Sequence, residues 1–321
     1  MNIRNILYQI IPFVFAMSIA QGCGNAPKEQ SNGGKPQINK LKDVMIYEDS
    51  KFYAAFPSVV KRPDGELLVA FRRAPNRRNF GESSYTHVDP NSYLVMVRSR
   101  DGENWTKEPE HIYAHPFGGS QDPCLLQLRD GTLLCASYAW IVLKPESFST
   151  MKDPVSWQRI AGFLGGFMVR STDGGKTWGK AIYPASVPTD TRNNVLNQGM
   201  PAYNRGAMCE GKNGRIFWAV ATSKPTGGTS VHLMTSDDKG DTWNYQSEIA
   251  SDSVASFNET SVYITPKGDI VAFLRTANYE DQACIARSTD GGKTFTWQSM
   301  GFQGHPLKKM RNFASHNIVV S

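Results

Sequence analysis

The sequence lacks the patterns that mark several large classes of protein. After the first 23 residues it has no aliphatic heptads and no long helical period, which excludes a predominantly helical fold. The net charge is +6, but the lysines and arginines are scattered, and only Arg72-Arg73 and Arg77-Arg78 lie close together. Because they form no basic stripe, nucleic acid is not expected as a partner.

Cysteine is also scarce, with five in 321 residues. Four of them, Cys124, Cys135, Cys209 and Cys284, match no zinc-site spacing and lie in strand-like runs. We therefore predict free thiols in the core, and one disulfide is the alternative in an oxidising compartment. The sequence has no cluster of metal ligands and no glycine-rich phosphate loop, so neither a metal nor a cofactor is expected.

The first 23 residues are predicted to be a targeting segment. Arg4 supplies a positive charge, residues 6–20 form an apolar stretch too short for a normal membrane span, and Gly22 precedes Cys23. This end resembles a bacterial lipobox, although Ala20 stands where leucine is usual, so we predict a lipid on Cys23. An ordinary secretory peptide is the alternative. Residues 24–44 are predicted to tether an exported protein to the outer membrane or cell surface, and otherwise the protein is periplasmic or secreted.

One pattern recurs along the rest of the chain. Residues 171–178 read STDGGKTW, residues 236–243 read SDDKGDTW, residues 288–295 read STDGGKTF, and residues 99–105 hold a shortened copy. Each copy follows a strand-like run, and its Asp and Gly favour a tight turn that the closing aromatic residue can pack under. Such copies indicate a repeat fold, and we interpret them as structural rather than catalytic.

These octets resemble the Asp boxes of the sialidase (neuraminidase) superfamily, which folds as a six-bladed β-propeller. The resemblance covers residues 45–321 and predicts an all-β fold, although other propellers also carry Asp boxes. Four units each show a strand, a glycine turn, a second strand, a connector, a third strand and a box. Their first two strands are predicted at 52–60 and 66–71, 124–128 and 132–138, 206–209 and 215–220, and 261–264 and 269–274.

The number of units is smaller than a ring of six requires. Residues 316–321 are predicted to be the first strand of a fifth blade, which gives about four and a half blades. Because an open propeller leaves unpaired strand edges, we expect this chain to be the N-terminal part of a longer protein. The resemblance places the tyrosine nucleophile and a third arginine in later blades, beyond Ser321. A product that ended there is expected to be inactive as a retaining sialidase.

The strongest site match to the family lies in the fourth unit. Residues 258–264 read NETSVYI and residues 272–275 read AFLR, like the family segment that carries a glutamate and a substrate-binding arginine. The resemblance implies that Glu259 takes the proton of the tyrosine nucleophile and that Arg275 binds the substrate carboxylate as a bidentate pair. A simple ion pair near a strand end is the alternative.

The resemblance also implies a catalytic acid/base and further arginines. Asp89 precedes the strand before the first box, about where the family places its aspartate, and Asp122 at the start of the second unit is the rival. A turn-forming Asp-Pro is the structural alternative for Asp89, and His87 can assist either aspartate.

The family motif of an aromatic residue followed by Arg-Ile-Pro aligns with residues 54–58, but Ala55 stands in the arginine position. Arg72 or Arg73, on the paired strand, and Arg205 are the candidates to replace it.

We therefore predict an exo-glycosidase resembling exo-alpha-sialidase, which removes terminal sialic acid or a related sugar from glycans with retention of configuration. A non-catalytic glycan-binding propeller is the first alternative, in which Trp140, Tyr203 and Tyr279 stack on sugars. A glycosidase of the same fold acting on another sugar is the second. The expected partners are a glycan and, through the lipid anchor alone, a membrane.

Overall fold

Four antiparallel sheets follow one another along the chain in the computed structural model, which describes residues 4–6, 41–82, 88–224, 226–280 and 282–303. Before them, β1 (Arg4–Ile6) pairs with β2 (Asp43–Met45). Apart from β1, the predicted targeting segment lies outside the described residues, as do Cys23, most of the tether, His87 and the predicted strand of a fifth blade.

Each sheet is one propeller blade, as the repeats predicted. Blade 1 contains β3 (Phe52–Lys61), β4 (Leu67–Pro75), β5 (Tyr93–Ser99) and β6 (Glu110–Tyr113), in that spatial order. In blade 2, β7 (Gly119–Ser120) and β8 (Cys124–Gln127) both pair with β9 (Leu133–Val142), and β10 (Ser156–Trp157) and β11 (Ala161–Ser171) complete the sheet.

In blades 3 and 4, as in blade 1, the four main strands lie side by side in the order of the chain. Blade 3 contains β12 (Cys209–Glu210), β13 (Ile216–Ser223), β14 (Thr229–Ser236) and β15 (Asn244–Ala250). In blade 4, β16 (Ser256–Phe257) is followed by β17 (Ser261–Ile264), β18 (Ile270–Leu274), β19 (Thr276–Ala277), β20 (Gln282–Ser288) and β21 (Thr296–Gln303), and β16 pairs with β19. Two short 3₁₀ helices, Arg77–Phe80 and Pro145–Thr150, lie in connections.

The Asp boxes lie one strand earlier in each blade than the sequence units implied. Each box is the turn between the third and fourth strands, and it does not end the blade. In blade 2 the fourth strand is reduced to one bridge between Met168 and Ile182. The sequence units missed these outer strands because the strands are short and exposed residues interrupt their apolar pattern.

The hydrogen bonds within the third-blade box show why these residue types recur. Asp238 accepts hydrogen bonds from the Thr242 backbone N–H at 2.9 Å and from the Thr242 hydroxyl at 2.6 Å. Ser236 accepts the Gly240 N–H at 2.9 Å. Gly240 has φ +85°, and a Cβ there would lie 3.0 Å from Leu134 of the preceding blade. The box is therefore a structural turn, as the sequence predicted.

Alternation along each strand places the core between blades. Leu133 belongs to the cluster shared by blades 1 and 2, whereas its neighbour Leu134 belongs to the cluster shared by blades 2 and 3. A third cluster joins Leu233 of blade 3 to Ala272 of blade 4. Strands buried on both faces require continuous apolar runs, which explains the strand-like sequence segments.

The four cysteines of the blades are free thiols, as the sequence predicted. The thiols of Cys124, Cys135, Cys209 and Cys284 are free, and all but the partly buried Cys209 are fully buried. Burial raises the pKa of Cys124 and Cys209 to about 12, so both thiols stay protonated. Within the described part of the chain, no helix has the length and apolar character to cross a membrane.

Candidate active site

Five charged side chains from all four blades form one continuous network. Arg72 Nη1 lies 3.8 Å from Asp122 Oδ1, and Arg205 Nη1 lies 2.5 Å from Asp122 Oδ2. The other end of the Arg205 guanidinium contacts Glu259 Oε1, which Arg275 Nη1 also reaches at 3.0 Å. We call these five residues the charged network. Glu259, Arg275, Asp122, Arg72 and Arg205 were all candidates from the sequence.

Solvent exposure increases along this network. The side chains of Arg72 and Asp122 are 0% and 1% exposed, Arg205 is 8% exposed, and Glu259 and Arg275 are 18% and 27% exposed. A ligand in solution therefore reaches Glu259 and Arg275 first. Arg72 and Asp122 support this surface from within the protein.

Strand alternation decides which arginine of the Arg72-Arg73 pair joins the network. Leu68 and Ala70 of β4 face blade 2, and Arg72 continues that face to the end of the strand. Arg73 points to the opposite face, where its Nη2 lies 3.0 Å from Asp49 and its guanidinium stacks 3.5 Å from the ring centroid of Phe52. Arg73 therefore does not lie in the space expected for the missing arginine.

Asp122 is held where the chain enters blade 2. It accepts a hydrogen bond from the Tyr138 hydroxyl at 2.8 Å, and its neighbour Gln121 accepts one from Arg72. Burial alone would raise the pKa of the Asp122 carboxyl, but the positive charges of Arg72 and Arg205 outweigh that effect and lower it. Burial, together with the nearby Asp122 charge, raises the pKa of Tyr138 well above its usual range. Asp122 is therefore a carboxylate and Tyr138 a neutral phenol at neutral pH.

Arg205 reaches blade 4 because its neighbours allow the two backbones to approach closely. A Cβ on Gly206 would lie 1.7 Å from the Thr260 carbonyl oxygen, so only glycine fits there. The buried Asn204 side chain donates hydrogen bonds to Ala219 O at 2.8 Å and Thr260 O at 3.1 Å. This contact places Arg205 beside Glu259, the residue before Thr260.

The blade 4 residues are tied together by the backbone as well as by side chains. Asn258 N–H donates to the Arg275 carbonyl at 3.1 Å, and Arg275 Nη1 donates to Asn258 Oδ1 at 3.0 Å. Glu259 Oε2 is buried and has no hydrogen-bond partner among the described residues. This oxygen therefore has acceptor capacity that the described residues do not use.

Asp89 lies outside the charged network. It is buried, and its two oxygens accept hydrogen bonds from Arg77 at 2.8 and 3.1 Å and from Asn91 N–H at 2.8 Å. Hydrogen bonding to Asp89 and Glu82 raises the pKa of the Arg77 guanidinium. The structure thus brings Asp122, and not Asp89, together with Glu259 and the arginines.

Two aromatic side chains at the network, Tyr138 and Phe56, were not among the site residues predicted from the sequence. Tyr138 lies on the face of β9 that Leu134 and Ala136 direct toward blade 3, so the alternation of β9 could have indicated it. The ring centroid of Phe56 lies 4.8 Å from the Arg72 guanidinium and 4.9 Å from that of Arg205. In the sequence, Phe56 was indicated only by its position after Ala55 in the segment aligned with the family motif.

The three aromatic residues suggested for sugar stacking do not share one surface. Trp140 and Tyr203 both pack against Phe163, with centroids 4.7 and 4.5 Å away, and Phe163 is buried. Tyr279 packs instead against Trp297 of blade 4, at 6.3 Å. The Phe163–Tyr203 and Tyr279–Trp297 pairs meet edge to face and the Trp140–Phe163 pair is tilted, so these half-buried rings pack against other rings and form no shared platform.

The chemistry that this network supports follows from its charges. Three arginines and two carboxylates leave one net positive charge, which suits a singly charged anion. Because its pKa is lowered, Asp122 is suited to hold arginines and accept hydrogen bonds rather than to deliver a proton. No group of three or more His, Cys, Asp or Glu side chains able to hold a metal ion occurs in the described ranges.

Comparison with known proteins identifies the family. The sequence profile of the BNR repeat-like domain matches residues 148–315, which is more than half of the chain. The chain belongs to the BNR repeat-like family. No curated protein sequence matches this BNR-repeat chain.

Solved structures place the BNR-repeat chain among sialidase-type propellers. A protein of unknown function from Dyadobacter fermentans is 60% identical, with a TM-score of 0.80 over 84% of this chain and 74% of that one. The Hadza microbial sialidase Hz136 is 16% identical, with a TM-score of 0.56 over 76% of this chain and 46% of its own. Zg3597, a family 117 glycoside hydrolase from Zobellia galactanivorans, is 13% identical, with a TM-score of 0.53 over 78% and 70%.

These likenesses confirm the all-β, sialidase-type propeller that the Asp boxes predicted. At such low identity to the two enzymes they show the fold alone, which is of a glycoside hydrolase type. Function must therefore be argued from the charged network.

Proposed function

We propose that this BNR-repeat protein is an exo-glycosidase that removes terminal sialic acid or a related acidic sugar from glycans, with the charged network as its active site. One observation carries the proposal: residues from four blades, separated by up to about 200 positions in sequence, converge into a single array of arginines and carboxylates. The similarity of the fold to that of sialidases and other glycoside hydrolases supports the enzyme class.

Each residue of the network has a role in this proposal. Arg275, at the more exposed end of the network, binds the substrate carboxylate together with Arg205. Glu259 accepts the proton of a tyrosine nucleophile, as the family resemblance implies, and the intermediate is a covalent tyrosyl glycoside. Arg72 and Asp122 fix Arg205 from within the protein. A phenolate avoids the repulsion that a carboxylate nucleophile would meet from an anionic sugar.

The test is release of the fluorophore from 4-methylumbelliferyl-sialic acid by the purified protein. Glu259→Gln should lower kcat by a factor of about 100 or more, because it removes the general base. Glu248→Gln is the matched control, since Glu248 is an exposed residue of β15 outside the network, and its activity should stay at the parental level. Equal activity in parent and Glu259→Gln would contradict the assignment of Glu259.

A second candidate function is binding of acidic glycans without catalysis, and the observation that favours it is Ala55. The alanine removes an arginine that the family motif would place beside Arg72. A folded protein that turns over neither the sialoside nor a panel of other methylumbelliferyl glycosides, but binds sialosides in calorimetry, would favour this function. Turnover of another glycoside would instead favour an enzyme of different sugar specificity.

We also propose that Cys23 carries a lipid that anchors the exported protein. A Cys23→Ala variant should lose the modification and move from the detergent phase to the aqueous phase in Triton X-114 partitioning. Cys209→Ala is the control and should stay in the detergent phase. Equal partitioning of parent and Cys23→Ala would support an ordinary secretory peptide.

A further inference from the structure

A β-bulge in the first blade changes the direction of the chain at Phe56. Ala55 pairs with Arg72 and Ser58 pairs with Ala70, so β3 uses three steps where β4 uses two. Within the bulge Phe56 has φ +56°, a conformation that a non-glycine residue rarely adopts, and it precedes Pro57. Bulges of this kind redirect side chains, and backbone strain of this kind concentrates at functional sites.

The redirected ring contacts two arginines of different blades. The Arg72 and Arg205 guanidiniums lie 4.8 and 4.9 Å from its centroid, within the range of a cation–π contact. Asp122 also contacts both arginines, at 3.8 and 2.5 Å. Phe56 and Asp122 therefore hold the same pair of cations, one through its ring and the other through its charge.

Two like charges this close repel each other unless the surroundings compensate. Asp122 contacts both arginines and Glu259 contacts Arg205, and the ring of Phe56 supplies additional negative potential without a charge. Ala55 lies directly across from Arg72 in the antiparallel pair, and its methyl group adds no third cation to the pair.

We infer that Phe56 is a positioning residue that holds Arg72 and Arg205 side by side, so that Arg205 keeps its place between Asp122 and Glu259 for an anionic substrate. The inference rests on the proposed function for its catalytic consequence but not for its geometry. The bulge delivers an aromatic ring to this position.

The test compares Phe56→Met, which keeps a side chain of similar volume without an aromatic ring, with Phe56→Tyr, which keeps the ring. Phe52→Met is the matched control, because the Phe52 ring stacks on Arg73 outside the network. We expect crystal structures of Phe56→Met to show the Arg205 guanidinium displaced by about 1 Å or more, a shift large enough to affect catalysis. Phe56→Tyr and Phe52→Met should keep Arg205 in place.

Kinetics supply the second readout if the protein is a glycosidase. Phe56→Met should raise KM for the sialoside about tenfold while kcat changes less, because the loss acts on substrate binding through Arg205. Phe56→Tyr should recover the parental KM. A purely structural role would lower Tm in both Phe56→Met and Phe52→Met without this division between KM and kcat.

The possible failures can be distinguished. An inactive parent would contradict the proposed function, whereas the position of Arg205 in Phe56→Met would still decide the inference. Guanidiniums that keep their parental positions in Phe56→Met would overturn it. If Phe56→Met does not fold, Phe56→Leu gives the same comparison.

Discussion

Arg72 and Arg73 are consecutive residues of β4, yet their guanidinium groups lie on opposite faces of the first blade. Arg72 is fully buried beside Gln121 and Asp122, whereas Arg73 is stacked on Phe52 and paired with Asp49. The pleat of the strand requires this separation, because successive side chains point to opposite faces. The two arginines are therefore a natural pair of test and control.

Substituting each arginine by lysine distinguishes an effect on the active site from a general loss of stability. Arg72→Lys keeps the charge but loses Nη1, the guanidinium nitrogen that contacts both Gln121 and Asp122, so we expect kcat/KM for the sialoside to fall about tenfold. Arg73→Lys should change kcat/KM less than about twofold, because a pair outside the network does not touch the substrate. Steady-state kinetics, measured well below the Tm of both variants, test this prediction. Equal losses of kcat/KM in both variants would contradict the position of Arg72 in the charged network and of Arg73 outside it.

Asp122 and Asp89 offer a second comparison. Both carboxylates are buried and each bonds to arginine, so Asp122→Asn and Asp89→Asn should both destabilise the fold, by roughly 3 kcal/mol each. Asp122→Asn alone should also raise KM, because it releases Arg205. Urea unfolding measures the loss of stability in both variants, and steady-state kinetics measure KM. A larger kinetic loss in Asp89→Asn would restore Asp89 as the catalytic candidate.

His232 should make the stability of the protein depend on pH. Its ring is buried in blade 3, with Nε2 2.9 Å from Ser230 Oγ and 3.1 Å from Thr222 Oγ1. Burial lowers its pKa from 6.5 to about 4, so the unfolded chain binds a proton between these values that the folded protein does not bind. The stabilisation is complete above pH 6.5 and is lost as the pH falls toward 4, by a total on the order of 3 kcal/mol.

Urea unfolding of parent and His232→Gln at pH 7 and pH 5 measures this effect. The parent should lose more free energy of unfolding between the two pH values than the variant does. His111→Gln, at an exposed position of β6, should behave like the parent. A parent and a His232→Gln variant with parallel pH dependence would contradict the prediction.

Asp237 and Asp238 are neighbours in one Asp box, but only Asp238 accepts the hydrogen bonds of the turn from Thr242. Asp238 accepts the Thr242 N–H and hydroxyl and the Ser236 hydroxyl, so Asp238→Ala should destabilise the protein by about 1–3 kcal/mol. Asp237 pairs with Arg215 at the surface, and its substitution by alanine should cost less than about 1 kcal/mol. Chemical denaturation of the two variants tests the order, and a greater loss in Asp237→Ala would reverse it.

Local sequence patterns predicted the four blades and their glycine turns, but not the outer strand of each blade. Residues 261–264 and the four cysteines lie in strands or next to them as predicted, because apolar alternation and Asp-Gly turns act over fewer than ten residues. Family resemblance supplied Glu259 and Arg275, which are close in sequence and lie on adjoining segments of one blade.

Contacts between distant side chains depend on how the blades pack. Arg205 and Asp122 are 83 positions apart, and their contact depends on how blade 2 packs against blade 3, which local patterns do not encode. The choice of Arg72 over Arg73 required the phase of β4 relative to its neighbouring blade, and the position of Phe56 required a bulge with positive φ. Local periodicity fixes strands, whereas the register between blades brings the charges of the candidate active site together.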